Sequence, residues 1–458
     1  MLSHIALFMF AVICILLMLG YPVAFTMAGT ALLFAAVGII GGVFDAAFLS
    51  AMPGRLYSTI GNETLIAVPL FILMGVALEK SRIAEELLSN MTRAFGRIRG
   101  GLGISVIIVG TLLAASTGIV GATVITMGLL SLPSMLKSGY RPSLAAGTIC
   151  ATGTLGQIIP PSIALILLGD VLSSAYQQAQ LSMNIFNPKV LSVGDLFTGA
   201  LIPGLLLILC YSIYLLAVSR FRPEDVPLAN EPAVSLKKLL LSTLPPIALI
   251  ILVLGSILTG AATPGDAAGI GAVGALLLVL SQGQLNITLL KQIALDTTRM
   301  TCMVFTILIG ASIFSLVFRG FGGDALIHGY FNNLPGGTLS ATAIVMLVIF
   351  LLGFILDFIE ITFVVIPIVG PTLLQMGIDP VWLGIIFALN LQTSFLTPPF
   401  GFALFYLRGV APDSLPTSAI YRGVIPFIII QLLVITAIWL WPPLATWLPA
   451  QLSDLKGA

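Results

Sequence analysis

Two stretches of this sequence decide how the rest of the chain is interpreted: GTLGQIIPPS at residues 153–162 and NLQTSFLTPPFG at residues 390–401. Each lies inside a long apolar run, and each carries a Pro-Pro step with small and hydroxyl residues before it. Proline removes a backbone donor and disfavours helix at the residue before it. We therefore predict that both helices open here. Open backbone at membrane depth is tolerated only where protein buries it or a polar cavity receives it.

The two predicted breaks have a functional and a purely structural interpretation. Interrupted helices in corresponding places of two halves are typical of a transporter's binding site. A pair of packing kinks, which are common in membrane helices, would leave the same pattern. Because the Pro-Pro step occurs twice in matching surroundings, the sequence favours a binding site.

The composition predicts an all-α polytopic membrane protein. The chain has 458 residues, of which 58% are hydrophobic and only 8% are charged, far from the balance of a soluble domain. The four cysteines and two histidines lie singly, without the spacing of a metal or catalytic cluster. We predict no cofactor and no nucleic-acid partner. The N-terminus lacks the pattern of a signal peptide and is interpreted as a first membrane helix.

The placement of charges sets the predicted topology. Residues 101–133 and 339–373 both exceed the roughly 20 residues that one span needs. If both are re-entrant hairpins and the N-terminus lies outside, fifteen of the 19 Lys and Arg residues fall on the cytoplasmic side, which is a strong positive-inside bias. Reading either segment as two spans would invert everything after it. We predict about ten transmembrane helices plus two re-entrant hairpins, with both termini outside.

An internal repeat accompanies this topology. Pro133 and Pro371 each close a predicted hairpin, and the following Pro-Pro steps begin 27 residues later in both halves (160−133 and 398−371). Matched positions lie on opposite sides of the membrane, which predicts an inverted repeat. The first repeat covers residues 1–219, with hairpin 101–133 and broken helix 143–172; residues 220–241 form a cytoplasmic linker; the second repeat covers residues 242–458, with hairpin 339–373 and broken helix 381–407.

Two further segments are predicted to lie outside the membrane spans. Between Lys80 and Arg99, apolar residues recur at helical spacing opposite charged ones, which predicts an amphipathic helix at the membrane interface. It either only lies on the membrane or serves as an arm joining a fixed frame to a moving block. The first half also carries an extra polar loop, at about Ser173–Val190, which should project outside.

Several motifs in order resemble one family. GTICATGTLGQIIPPS (residues 147–162), LPSMLKSGY (residues 132–140) and NLQTSFLTPPFG together resemble the large membrane subunit of tripartite ATP-independent periplasmic (TRAP) transporters. The resemblance covers nearly the whole chain. It implies sodium-driven uptake of small organic acids by an elevator motion in a bacterial inner membrane. It also implies a small four-helix membrane subunit and a periplasmic substrate-binding protein as partners, besides membrane lipid.

The sequence departs from the family pattern at the tip of the first hairpin. Many members carry Ser-Gly-Ser-Ser there, whereas this chain reads TGIV at residues 117–120. Two hydroxyls are therefore missing. The sodium ligands at this tip must come from Ser116, Thr117, Thr123 or backbone carbonyls.

We expect two clusters of sodium ligands, each pairing a hairpin tip with a helix break. Hydroxyl, amide and carbonyl oxygens suit a hard cation without adding permanent charge. For any single hydroxyl, a hydrogen bond back to its own helix explains the residue equally well. The first cluster comprises Ser116, Thr117, Gly118, Thr152, Gly153 and Thr154, and the second comprises Gly353, Asp357, Asn390, Gln392, Thr393, Ser394 and Thr397.

Asp357 and Glu360 form a close acidic pair in an otherwise apolar stretch. A carboxylate at the membrane centre costs about 2.5–3.5 kcal/mol on insertion scales. The structural explanation is a capping box that starts the return helix of the hairpin. The functional explanation is ion coordination or proton coupling. The corresponding residues of the first half are Ile119 and Ala122 (357−238 and 360−238), so the two halves are not chemically equivalent.

The candidate substrate contacts lie around the same breaks. A helix opened by proline offers half-helix N-termini, whose partial positive charge favours an anion. Arg319, at the outer end of a span, is a candidate partner for a substrate carboxylate or for Asp357, or else an interfacial anchor. The predicted substrate-binding residues are Gln157, Pro160, Pro161, Arg319, Glu360, Pro398 and Pro399.

The favoured function is a sodium-coupled transporter subunit that imports a small organic acid, with sequence variants that resemble members for 2-oxo acids or other monocarboxylates. The alternative is a stand-alone sodium- or proton-coupled carrier of the dicarboxylate or citrate type. An intramembrane enzyme would need a catalytic pair, and the sequence shows none. The paired breaks argue against a purely structural subunit.

Overall fold

The computed structural model describes residues 2–81, 83–95, 98–228, 235–332 and 334–457. Every regular element in these ranges is helical and none is a strand, which confirms the all-α membrane architecture. Among the described helices, seven are long and apolar enough to cross a membrane, or up to nine if each of two bent pairs counts as one span. The arrangement of ten spans and two re-entrant hairpins stays a prediction, because length and hydropathy alone do not place a helix relative to the membrane.

In the first half, helix starts follow ordinary capping chemistry. The Asn62 side chain accepts a hydrogen bond from the Thr64 N–H, and Ser192 forms a capping box with Asp195. The helices are α1 (Leu2–Met18), α2 (Val23–Ile40), α3 (Met52–Ile60), α4 (Glu63–Lys80), α5 (Ile83–Phe95), α6 (Gly101–Thr117), α7 (Val120–Lys137), α8 (Pro142–Thr154), α9 (Ile163–Ser182) and α10 (Val193–Phe221).

The second half begins after the predicted linker 220–241, of which residues 229–234 lie outside the described residues. Its helices are α11 (Leu236–Leu258), α12 (Pro264–Ser281), α13 (Ile287–Gly320), α14 (Gly323–Asn332), α15 (Gly337–Leu352), α16 (Phe358–Val364), α17 (Ile366–Gln375), α18 (Pro380–Leu396), α19 (Phe402–Val410), α20 (Thr417–Leu440) and α21 (Pro443–Gly457).

Both predicted hairpins have two helical legs joined by a tight turn. Hairpin 1 consists of α6 and α7, joined through Gly118 and Ile119, and it extends to Lys137 because Pro133 lies within α7. Hairpin 2 consists of α15 followed by α16 and α17, which are bent by 56° relative to each other. Both Pro-Pro steps lie outside regular helix, between α8 and α9 and between α18 and α19. The two breaks are therefore present where the sequence predicts them.

The polar segment Ser173–Val190 is not a loop throughout, so that prediction is wrong in its first half. Helix α9 continues to Ser182, and only the residues after it leave the helix. The turn that follows is held by Gln180, whose amide donates to the Lys189 carbonyl and accepts from the Lys189 N–H, both at 2.8 Å.

In the second half, α13 is longer than predicted and α14 was not predicted. The apolar run at residues 300–318 is the end of the 34-residue helix α13, which begins at Ile287 under an Asn286 cap. The short helix α14, which follows it directly, has no counterpart among the predicted elements. Its first turn carries the acidic residue Asp324.

The predicted amphipathic helix is confirmed as α5. Ile83, Leu87 and Leu88 are buried on one face, whereas Glu85 and Glu86 are exposed on the other. The buried face packs against α6 and α11. Its role as an arm or as an interfacial anchor stays a prediction.

The two helices that lead into the breaks, α8 and α18, are buried along nearly their whole length. Small residues permit this. Gly147 of α8 meets α20 so closely that a Cβ atom would lie 2.0 Å from the Gly423 carbonyl oxygen. Close backbone approach of this kind is how membrane helices pack without a large apolar driving force. The hydroxyl and amide groups of α8 and α18 are thereby enclosed by protein.

Candidate functional site

A small cavity, here called the central cavity, lies where both hairpin tips meet the first break. Its volume is about 60 Å³. One wall comes from α4 and α13, and the other walls come from the hairpins and the broken helices. Its lining consists of Ile72, Gly118, Ile119, Val120, Gly121, Gln157, Ile163, Ala164, Leu167, Met303, Val304, Asp357, Phe358, Ile359, Phe395, Phe402 and Tyr406.

Ten of these lining residues form five pairs at the repeat offset of 238. Ile119 pairs with Asp357 (357−119) and Gln157 pairs with Phe395 (395−157). The other pairs are Val120 with Phe358, Gly121 with Ile359, and Ala164 with Phe402. Positions that the predicted repeat makes equivalent therefore surround one cavity. The chemistry of each pair differs, because a polar member faces an apolar one at both Asp357 and Gln157.

The tip of hairpin 1 is shaped by Gly118. Its φ of +61° lies in the left-handed region that disfavours side chains, and a Cβ there would lie 2.7 Å from the Ile163 backbone nitrogen. Hairpin 1 therefore touches the start of α9. That start is capped by Ser162, whose hydroxyl donates to the Gly156 carbonyl at 2.7 Å. The two contacts fix the break against the hairpin.

The first predicted sodium cluster is brought together, and its hydroxyls bond to their own helices. Ser116 and Thr117 donate to the Leu113 carbonyl, and Thr152 and Thr154 donate to carbonyls three or four residues back. A hydroxyl that donates in this way keeps its lone pairs as possible cation ligands. The Thr117 and Thr123 oxygens lie 2.7 Å apart.

Gly153 completes the first cluster by allowing close packing. A Cβ on Gly153 would lie 2.3 Å from Val124 Cγ2, so α7 rests directly on α8. A Cβ on Gly110 of α6 would meet Thr152 at 2.4 Å. Both legs of hairpin 1 are therefore seated against the helix that carries Thr152 and Thr154.

The second predicted cluster is also assembled. Asn390 donates to the Met346 carbonyl of hairpin 2 at 2.8 Å. A Cβ on Gly353 would lie 2.0 Å from the Ser394 hydroxyl, so the hairpin turn accepts that side chain only because Gly353 has none. Thr393, Ser394 and Thr397 donate to carbonyls of their own helix, at Leu389, Leu391 and Thr393.

The two clusters meet at the buried Gln392. Its amide nitrogen lies 3.4 Å from the Thr154 hydroxyl, and these two residues are separated by the predicted repeat offset (392−154 is 238). The carbonyl oxygens of Gln392 and Gln157 are buried without a hydrogen-bond partner in the described part of the chain. Buried acceptors left unpaired are costly. Both oxygens are therefore available to a ligand that donates or carries positive charge.

Asp357 and Glu360 form the predicted capping box at the start of α16. The Asp357 N–H donates to the Glu360 carboxylate at 2.9 Å. Asp357 lines the central cavity, whereas the predicted substrate contact Glu360 is 6% exposed and does not line it. The structural explanation thus holds for the pair, and Asp357 in addition faces the cavity.

The four prolines of the breaks lie between helices and set where the second halves begin. After Pro160 and Pro161, α9 begins at Ile163; after Pro398 and Pro399, α19 begins at Phe402. These two starts line the central cavity, and the prolines do not. The helix starts bring partial positive charge to the cavity.

Arg319 is not a partner of Asp357, and that pairing is wrong. Its Nε lies 3.1 Å from the Asp324 carboxylate, and its Nη2 donates to Gln178 Oε1 at 3.0 Å. Arg319 lines a separate cavity of about 230 Å³, here called the outer cavity, together with Arg55 and Asp170. Asp324 lies in α14, so the pairing could not be predicted without that helix.

Sequence reasoning missed the apolar part of the central cavity. Phe358, Phe395, Phe402 and Tyr406 line it, and nothing in an apolar helix distinguishes such residues from core. The repeat offset would have identified Phe395, since its equivalent is the predicted site residue Gln157. Within the described residues, no three His, Cys, Asp or Glu side chains come together as a metal site.

The chain is similar to known transport proteins along most of its length. The family model of the "Tripartite ATP-independent periplasmic transporter, DctM component" matches residues 10–444. The chain is 29% identical over 399 residues to the C4-dicarboxylate TRAP transporter large permease protein DctM of Pseudomonas aeruginosa, covering 86% of this chain and 88% of that protein. It is 27% identical to the sialic acid TRAP transporter large permease protein SiaM of Vibrio cholerae, covering 95% and 96%.

The chain is also similar to a third permease protein and to one solved transporter structure. The ectoine/5-hydroxyectoine TRAP transporter large permease protein UehC of Ruegeria pomeroyi is 28% identical, covering 96% of this chain and 97% of that protein. The crystal structure of the Alcanivorax borkumensis YdaH transporter aligns with a TM-score of 0.63 at 14% identity, covering 97% and 98%. At that identity the likeness concerns the fold alone.

Proposed function

The chain belongs to the DctM family, the large permease subunits of TRAP transporters, and on that premise we propose that it imports a small organic acid by a sodium-coupled elevator motion. As a TRAP large permease it is a multi-pass membrane protein and not an enzyme. The proposed setting is a bacterial inner membrane with both termini periplasmic. The proposed partners are a small four-helix membrane subunit and a periplasmic substrate-binding protein.

The central cavity is the observation that carries the proposal. Both hairpin tips, the first break and the starts of α9 and α19 line it, and α4 and α13 supply the remaining wall. We propose that hairpins 1 and 2 and the broken helices α8–α9 and α18–α19 form a moving block. The frame then comprises α1–α4 and α11–α13. A substrate in this cavity would be carried by the block past a wall that stays still.

The two halves are proposed to be inverted repeats, residues 1–219 and 242–458, joined by the linker 220–241. The five cavity pairs at the 238 offset support this assignment. So does the contact between the equivalent residues Thr154 and Gln392. An inverted repeat provides two alternative packings of similar free energy, which an elevator requires.

Sodium coupling is supported by neutral oxygens at both hairpin tips. The hydroxyl protons of the two clusters are taken up by helix carbonyls, which leaves oxygen lone pairs free for a cation. The unpaired Gln392 oxygen adds a further acceptor between the clusters. The ions themselves would bring the positive charge that holds an anionic substrate beside Asp357.

The walls of the central cavity favour an acid with an apolar body. Phe358, Phe395, Phe402 and Tyr406 supply those walls, and the side-chain N–H of Gln157 is the donor placed to meet a carboxylate. Apolar walls with few polar groups are the usual composition of a small-molecule site. A 2-oxo acid or another monocarboxylate fits this composition better than a compact dicarboxylate does.

The alternative is a stand-alone carrier, driven by sodium or protons and specific for dicarboxylates or citrate. Asp357 favours it, because a carboxylate at the cavity beside a second one at Glu360 is a suitable proton acceptor. The two functions differ in their dependence on a binding protein and on the driving ion.

Uptake in proteoliposomes separates these functions. The chain is co-reconstituted with the small subunit encoded beside it, and uptake of labelled pyruvate, a longer 2-oxo acid and succinate is measured with and without the binding protein and a sodium gradient. We expect uptake only when both are present. Uptake by this chain alone, or with a proton gradient only, would establish the alternative instead.

A further inference from the structure

We propose that the outer cavity is a receiving site for the carboxylate of the arriving acid, formed by Arg55 and Arg319 of the frame. This inference rests on the proposed function, since it concerns the acid before it reaches the central cavity. The cavity has a volume of about 230 Å³. It lies between the frame elements α3 and α13 and the block elements α9 and α16.

Arg55 is a half-buried guanidinium without a salt bridge or side-chain hydrogen bond among the described residues. The charges of Arg319 and Asp324 both act on it. Asp324 is already engaged by Arg319 at 3.1 Å. A guanidinium that is partly removed from water and has no carboxylate at salt-bridge distance offers a planar, two-donor fork that matches a carboxylate. The Arg55 guanidinium is therefore the group of the cavity that we expect to bind a carboxylate.

In this arrangement, groups of the proposed moving block are hydrogen-bonded to frame groups at the outer cavity. The Arg319 Nη2 donates to Gln178 Oε1 at 3.0 Å, and Asn62 donates to Asp170 Oδ1 at 2.8 Å. Gln178 and Asp170 both lie in α9, whereas Arg319 and Asn62 belong to the frame. The carbonyl oxygen of Gln178 thus takes a donor that a carboxylate would bind more strongly.

Asp170 makes the site depend on the position of the block. With Asp170 and Asp324 present, two carboxylates balance the two arginines, which weakens attraction for a further anion. If α9 moves relative to the frame, Asp170 and Gln178 leave and the arginines gain a net positive charge. The acid is then attracted when the block is away from its present position, and the bridging hydrogen bonds re-form when the block returns.

Titration of the purified two-subunit permease with pyruvate and with succinate tests the site without any transport. Arg55→Gln should weaken binding of the acid by about tenfold or more, the usual loss for a hydrogen bond to a charged group. Arg319→Lys keeps the charge but loses the fork, and we expect a smaller loss. Arg299→Gln is the matched control, because Arg299 is an exposed arginine paired with Asp296 and remote from the cavity.

Gln178→Ala provides a result that misfolding cannot imitate. Removing this competitor frees an Arg319 donor, so binding of the acid should become about two- to tenfold tighter. Equal affinity in wild type, Arg55→Gln and Gln178→Ala would overturn the proposal. So would loss of binding-protein association in Arg55→Gln without any change in acid affinity, since the arginine would then hold a carboxylate of the binding protein instead.

The receiving site and the proposed transport function can fail independently of each other. If no acid is taken up in proteoliposomes but the titrations follow this order, the receiving site stands and the transport proposal fails. If uptake is normal and its concentration dependence is the same in Arg55→Gln and wild type, the receiving site fails and the transport proposal stands.

Discussion

Gly75 and Gly310 end two similar stretches, FILMG at residues 71–75 and TILIG at residues 306–310, but they touch different parts of the molecule. Gly75 of α4 meets the tip of hairpin 1, where a Cβ would lie 2.6 Å from the Ser116 carbonyl oxygen and 2.8 Å from Thr117 Cα. Gly310 of α13 meets α2 instead, with a Cβ 2.4 Å from the Ala24 carbonyl oxygen. The first contact joins the proposed frame to the moving block, and the second lies within the frame.

Gly75→Ala should therefore destabilise this arrangement selectively. Ordinary contact begins at 3.4 Å, so the hairpin tip must shift by 0.8 Å (3.4−2.6), and the clashing atoms are backbone that cannot rotate away. Overpacking of this kind costs about 1–3 kcal/mol. If the block leaves the frame in the other state, the cost applies to one state only. The population then shifts about 5- to 150-fold away from the present arrangement.

The assay is cross-linking between cysteines placed at Asn62 and Asp170, whose side chains are hydrogen-bonded in this arrangement. Gly75→Ala should lower the rate of cross-linking and leave thermal unfolding of the purified protein little changed. Gly310→Ala is the matched control. Its clash is present in every state, so it should lower the temperature of thermal unfolding and leave the rate of cross-linking unchanged. Indistinguishable effects of the two substitutions would refute the assignment of frame and block.

Three further substitutions have defined outcomes. Asp357→Asn keeps a good N-cap for α16, so the free energy of unfolding should change by less than about 0.5 kcal/mol. Sodium-driven uptake should fall about tenfold or more. Unchanged uptake would remove Asp357 from the coupling site. Gln157→Leu removes an unpaired buried oxygen, so the protein should be no less stable. Its KM for the acid should rise about tenfold, because the proposed polar contact with the carboxylate is lost. An unaltered KM would contradict the role given to Gln157. Tyr211→Phe deprives Gln431 of its 2.9 Å hydrogen bond and should cost about 1–3 kcal/mol in thermal unfolding; adding Gln431→Leu should recover part of that loss, and no recovery would contradict this reason.

The breaks and hairpins were predictable because local chemistry dictates them. A Pro-Pro step cannot continue a helix whatever surrounds it, and an apolar run that is too long for one span must turn. The chain thus specifies α8–α9, α18–α19 and both hairpins without reference to tertiary contacts. The capping box at Asp357 and Glu360 is local in the same sense.

Helix ends and charge pairs were not predictable in this way. Hydropathy marks where a chain meets lipid, not where its helix ends, so α9 continues to Ser182 through polar residues and α13 begins at Ile287. Glutamine and alanine favour helix as much as many apolar residues do. The partner of Arg319 depends on where α14 lies, and a ten-residue helix leaves too weak a periodic pattern to be recognised.

The most direct measurement is sodium-driven uptake of a labelled 2-oxo acid before and after the block is tied to the frame. Cysteines at Asn62 and Asp170, in a chain whose four native cysteines are replaced, are joined by a short bis-methanethiosulfonate reagent in the fully reconstituted transporter. We expect uptake to require the sodium gradient, to stop on cross-linking and to return when the bridge is reduced. Uptake that persists in a fully cross-linked sample would contradict an elevator motion of this block.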